Sequence, residues 1–96
     1  MKVRFAKSAR AEFLAAIDYI RQENPSAARE YFLHSEKVLR RLELFPDSGR
    51  SLPEFPELPY QEVIIHPYRF VYRVIDATVW IVTVWHGARL LTNPEA

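Results

Sequence analysis

Between Tyr60 and His86 the chain carries three runs rich in β-branched and aromatic residues, YQEVII, YRFVYRVI and TVWIVTVW. Only His66-Pro67 and Asp76-Ala77 separate them. Two-residue connectors leave no room for the crossover that parallel strands need, so the runs predict a three-stranded antiparallel meander. Side chains alternate across a strand, which puts Tyr68, Phe70, Tyr72 and Val74 of the middle run on one face. Arg69, Val71, Arg73 and Ile75 fall on the other. The first set reads as core and the second as a solvated face. An apolar sheet face must be covered, and the rest of the chain has to supply the cover.

The N-terminal half has the periodicity for that task. KVRFA alternates apolar and basic residues, as a short half-buried strand does. Ser8 is then a candidate N-cap, and Ala9, Phe13, Ile17 and Ile20 recur at helical spacing. In ENPSA, Asn24 suits a second N-cap and Pro25 the first helical position, where its missing N–H costs nothing. Ala28, Phe32, Ser35, Leu39, Leu42 and Phe45 follow the helical period until Pro46 and Gly49 stop it, and His34 lies off that stripe. The expected class is α+β in the order β-α-α-β-β-β. An N-terminal strand and an antiparallel helical hairpin precede the meander, with the helices on one face of a curved sheet.

The connection from Pro46 to Pro59 holds four of the seven prolines and reads as irregular structure. With 96 residues the chain is long enough for one domain, residues 1–96. It has no cysteine, which excludes disulfides and thiolate chemistry and fits a reducing, cytoplasmic setting. Lys7, Arg10, Glu12 and Asp18 interrupt the apolar run that a signal peptide or membrane span needs. The two glycines, Gly49 and Gly87, build no phosphate-binding loop, so no nucleotide cofactor is expected. His34, His66 and His86 show no metal-ligand spacing, and no serine sits in a nucleophile turn. The formal net charge of +1 is too small to mark a nucleic-acid binder. Its distribution is uneven: residues 1–10 hold Lys2, Arg4, Lys7 and Arg10 without an acid, and residues 51–62 hold Glu54, Glu57 and Glu62 without a base.

The basic side chains of the meander are the candidate site. Arg69 and Arg73 share a strand face about 13 Å apart, a span suited to an extended anion. Arg89 follows the last strand beyond the permissive Gly87, and Trp85 or Trp80 offers a ring for a guanidinium to stack on. His86 is a candidate for general acid–base work, the role a histidine side chain most often fills, although exposure at a strand end is the simpler explanation. Among the three arginines, Arg69 and Arg89 are the candidates for contact with a partner. Arg73 is expected to be a solvated neighbour.

Taken in order, the basic first strand with SARAEFLAAIDYI, the junction ENPSAA, LELFPDSGRSLPE, YQEVII, YRFVYRV and VWHGARLL resemble the ParE/RelE superfamily of toxins from bacterial type II toxin–antitoxin systems. The resemblance runs nearly end to end and implies a helical hairpin on a curved antiparallel sheet. It also implies a cognate antitoxin as partner and either of two activities. RelE-like members cleave mRNA on the ribosome with a set of basic residues and a C-terminal tyrosine; here that reading would fall to Arg69, Arg89 and His86. ParE-like members poison DNA gyrase. This chain has Gln61 and Glu62 where the nucleases carry paired lysines, and its tail LTNPEA has no tyrosine. FPDSGR and HGAR resemble the ParE branch. The expectation is a ParE-like toxin that binds gyrase rather than an enzyme. A RelE-like ribonuclease and a weakly toxic antitoxin-binding module are the alternatives. Arg69, Arg73, Trp85, His86 and Arg89 are the expected contact residues for target or antitoxin, with no metal, no cofactor and no membrane involved.

Overall fold

The computed structural model describes residues 1–89 and 91–95. The meander forms as the alternation requires. Strands β3 (Gln61–Ile65), β4 (Tyr68–Ile75) and β5 (Thr78–His86) pair antiparallel, with Ile64 opposite Arg69 and Arg69 opposite Trp85. The β4–β5 turn places Asp76 and Ala77 at φ of 49° and 60°, the positive pair that suits a two-residue hairpin. β5 carries one extra residue in a bulge opposite the Val71/Tyr72 step.

Two elements extend the sheet. β1 (Lys2–Phe5) pairs parallel with the first half of β5, and a two-residue strand, β2 (Arg50–Ser51), pairs antiparallel with Gln61 and Glu62 of β3. The sheet order is β1-β5-β4-β3-β2, so the proline-rich connection contributes an edge that its composition did not reveal.

α1 (Lys7–Glu23) and α2 (Pro25–Leu44) form the hairpin over one face. Asn24 caps α2 as expected, its side chain accepting the Ala27 N–H at 3.2 Å. The start of α1 differs from expectation. Its cap is Ala6 and not Ser8, because the Ala6 N–H is held by Ile81 of β5 and the chain turns directly from strand into helix. Ala9, Phe13, Leu39 and Leu42 pack on Phe70, Tyr72, Val79 and Ile81. Phe13 meets Phe70 edge-on at 5.6 Å, a geometry that adds to area burial. Phe32 and Phe45, on the expected α2 stripe, are exposed, as is Val74 near the end of β4. Glu12 fastens α1 to the bulged stretch: one carboxylate oxygen accepts both the Thr83 hydroxyl at 2.9 Å and the Val84 N–H at 3.0 Å.

The second sheet face is not solvated. Leu52 and Tyr60 from the connection, Val71 from β4 and Leu91 form a second buried cluster, joined by Phe55, Leu58, Val82 and Trp85. Val71 is therefore core, and Arg69 beside it is buried as well. Among the described residues, no helix is long and apolar enough to cross a membrane.

Candidate functional site

The connection is stitched to the sheet by the residues of FPDSGR. The Tyr72 hydroxyl donates to the Pro46 carbonyl at 2.7 Å and accepts the Gly49 N–H at 3.0 Å. A Cβ at Gly49 would lie 2.5 Å from the Tyr72 hydroxyl and 2.7 Å from the Glu62 carbonyl, so only glycine passes there. The Gln61 side-chain amide donates to the Gly49 carbonyl at 2.9 Å. These contacts deliver Arg50, the next residue, to the edge of β3. Burial in this environment raises the Tyr72 pKa above its ordinary value.

Arg50 leads into a chain of ion pairs. Its Nε donates to Glu62 Oε2 at 2.7 Å, and Arg69 Nε donates to the other Glu62 oxygen at 2.7 Å. Arg69 Nη1 and Nη2 then close a two-pronged bond on Glu54, at 2.6 and 2.7 Å. The Glu62 side chain is 0% exposed and that of Arg69 9%, against 24% for Glu54 and 61% for Arg50. Hydrogen bonds from Arg69 hold the Glu54 carboxyl down to about 2, and Glu54 in turn raises the Arg69 guanidinium above its usual value. Two arginines and two glutamates compensate one another, which makes burial tolerable for groups that would otherwise carry a large desolvation cost. Glu54 and Glu62 are thus paired with Arg69 and Arg50, so the acids of residues 51–62 do not present one uncompensated acidic patch.

Sequence reasoning placed Arg69 on an open basic face, counted Glu54 only among the acids of residues 51–62, and did not single out Arg50. Glu62 had a signal that register makes readable: Arg69 faces Ile64, and Glu62 lies two residues from Ile64 on the same face, within diagonal reach. Glu54 had none, because its position depends on the course of the loop.

The expected contact residues fall into three places. Arg69 and His86 border a cleft of about 600 Å³ together with Arg50, Glu54 and His66. Trp85, His86 and Arg89 border a second depression of about 260 Å³ beside Tyr19 and Glu12 of α1. Arg73 is apart from both. Its guanidinium carbon stands 5.3 Å from the Tyr60 ring, and its Nε is buried without a hydrogen-bond partner among the described residues, so it is half-buried over a tyrosine rather than fully solvated. Arg89 is exposed and stacks on Trp85 at 4.1 Å, the pairing anticipated for it. His86 packs edge-on to Tyr68, and its Nδ1 accepts the Ala88 N–H at 3.1 Å. With Nδ1 accepting, a neutral ring carries its proton on Nε2. No cluster of metal-ligating side chains occurs among the described residues.

Residues 3–91 match the family model described as ParE toxin of type II toxin-antitoxin system, parDE. The chain belongs to the ParE toxin family. Its structure is similar to a chain of the chromosomal ParDE TA system from P. aeruginosa, with a TM-score of 0.73 and 18% identity. The similarity covers 90% of this chain and 95% of the other, and at such low identity it speaks to the fold. No curated protein matches the chain. In this ParE-family member the pieces that carried the sequence resemblance have a structural purpose: FPDSGR seats the loop, and YQEVII and YRFVYRV supply Glu62 and Arg69 of the ion-pair chain.

Proposed function

We propose that the chain is a cytoplasmic toxin that inhibits DNA gyrase by binding it, and that a cognate antitoxin neutralises it. Family membership supports the toxin class. The observation that favours binding over cleavage is the pairing of Arg69, whose three nitrogens each donate to a carboxylate. Stabilising the charge that develops on a phosphate during RNA cleavage requires cationic donors free to face it. Every donor nitrogen of Arg69 is directed at Glu54 or Glu62, and His86 Nδ1 is occupied by a backbone N–H.

In this reading the exposed His86 and Arg89, with the half-buried Trp85 under the Arg89 guanidinium, form the contact surface. Arg69 orders the cleft at their side, and Arg73 supports the loop through Tyr60. The test pairs a gyrase supercoiling assay with primer extension on ribosome-bound mRNA. Inhibition of supercoiling, with no new mRNA ends, is the expected result. Specific cuts that depend on Arg69 or Arg89 would replace the proposal with the ribonuclease reading. Inactivity in both assays, with tight antitoxin binding, would leave an antitoxin-binding module.

A further inference from the structure

Of the two tryptophans, Trp85 has a place in the fold and Trp80 stands apart. Trp85 packs against the second buried cluster and carries the Arg89 guanidinium on its ring. Trp80 is half-buried, yet among the described residues it packs against neither cluster. No other aromatic ring or guanidinium among them lies against its face.

Register places cations on both sides of this ring. Trp80 lies opposite Arg4 of β1 and opposite Arg73 of β4. Val3 and Phe5 pack toward the helices, so alternation puts Lys2 and Arg4 on the Trp80 face. With neighbouring strands about 4.8 Å apart, the backbones of Arg4 and Arg73 stand about 10 Å from each other across the indole. Arg10 of α1 joins Arg4 and Trp80 at a depression of about 340 Å³ on the β1 edge. β1, β4 and β5 contain no acidic residue, and the acid of this hairpin, Asp76, lies in its turn. Lys2, Arg4, Arg10 and Arg73 make no ion pair among the described residues. The Tyr60 ring steadies the Arg73 guanidinium, whose nitrogens make no hydrogen bond there. The net charge of +1 hides this corner, because it averages the four cations with acids placed elsewhere, Glu54 and Glu62 among them.

From this arrangement we infer that the corner around Trp80 binds a short single-stranded nucleic acid, with a base stacked on the indole and phosphates on Arg4 and Arg73. Lys2 and Arg10 extend the cationic track. An acidic peptide fits less well, because the guanidiniums alone satisfy carboxylates and the flat ring is left without a role. A duplex also fits less well, since its bases are stacked on one another and offer no face. The inference goes beyond the proposed gyrase target and does not rest on it.

The experiment uses the full chain and fluorescein-labelled thymidine DNA and uridine RNA of about 12 nucleotides, read by anisotropy. The expected Kd is about 1–100 μM at about 50 mM salt, with a log–log salt slope of about −2 for three phosphate contacts. Trp80→Ala should weaken binding about 10-fold or more. Arg4→Ala should weaken it about threefold or more and reduce the slope by about 0.7, with the melting temperature unchanged. Arg29→Ala, an exposed arginine in α2, should change it less than about twofold. Tryptophan emission gives a readout on intact protein: the oligonucleotide should quench it in wild type and in Trp85→Phe, but not in Trp80→Phe. Tighter binding of one oligonucleotide names the strand as DNA or RNA and supports the site. Absence of binding at about 100 μM protein overturns the inference, as do unquenched emission and equal effects of Arg4→Ala and Arg29→Ala. Equal binding of a duplex, or of a poly-glutamate peptide of the same length, overturns it too.

Discussion

One face of the sheet is closed by two helices and lined by Phe13, Phe70, Tyr72 and Ile81; the other is closed by an irregular loop and holds a chain of four charges beside Leu52, Tyr60 and Val71. Both faces are buried, but different physics holds them. The helix face depends on close packing, which is non-directional and tolerant of small shifts. The loop face depends on hydrogen bonds to charged groups, whose directions are fixed and whose partners fail together if one is removed. A proline-rich loop offers little periodic apolar surface, so Glu54 and Arg50 act as anchors where a helix would use a stripe of side chains.

The comparison is broken hardest from the packed side. Phe70→Ala should cost about 3–5 kcal/mol, from lost burial and the cavity left under α1. Thermal or chemical denaturation reads this as a large drop in midpoint. On the loop side, Arg69→Met should cost about 2–4 kcal/mol, because Glu62 is left buried with Arg50 as its single charged partner. This departs from the expectation for an exposed arginine, whose removal leaves the melting temperature nearly unchanged. The second variant should also release the loop, so proteolysis between residues 52 and 59 should accelerate in Arg69→Met and much less in Phe70→Ala at matched stability.

A finer separation comes from pH. The Glu54 carboxyl sits at about 2 in the folded chain against an ordinary value of 4.5. A lowered folded value means that the contribution is complete above the unfolded value and disappears as pH falls through the folded one. Glu54→Gln should therefore lower stability by about 1–2 kcal/mol at neutral pH, and the gap from wild type should close between about pH 4.5 and pH 2. A gap that persists unchanged to pH 2 would mean that shape, and not charge, joins Glu54 to Arg69. The smallest effect belongs to the β4–β5 turn. Ala77 sits at φ 60°, where a Cβ is strained, so Ala77→Gly should raise stability by about 0.5–1 kcal/mol without altering either face.

The helix face was legible because burial on it follows a local rule. Apolar residues recur every three or four positions in α1 and α2 and every second position in β4, and a period is visible without knowing the fold. Asn24-Pro25 and the two-residue connectors were legible for a related reason: each fixes its neighbours' backbone directly. The same rules misplaced Ser8, because the hydrogen bond from Ala6 to Ile81 decides where the helix begins, and that partner lies 75 residues away in sequence.

The sequence by itself therefore determined the α+β class, the order of the major elements, the antiparallel meander, the α2 cap and the family, all of which rest on local periodicity, turn chemistry or ordered motifs. Tertiary structure alone decided the parallel pairing of β1, the added edge strand β2 and the fates of the arginines. Arg69, Arg73 and Arg89 are the same residue type in one stretch of chain, yet one is paired with two carboxylates, one lies over a tyrosine and one stacks on tryptophan at the surface. A charged side chain's environment depends on which distant groups reach it, and electrostatic pairing has no period along the chain from which to read them.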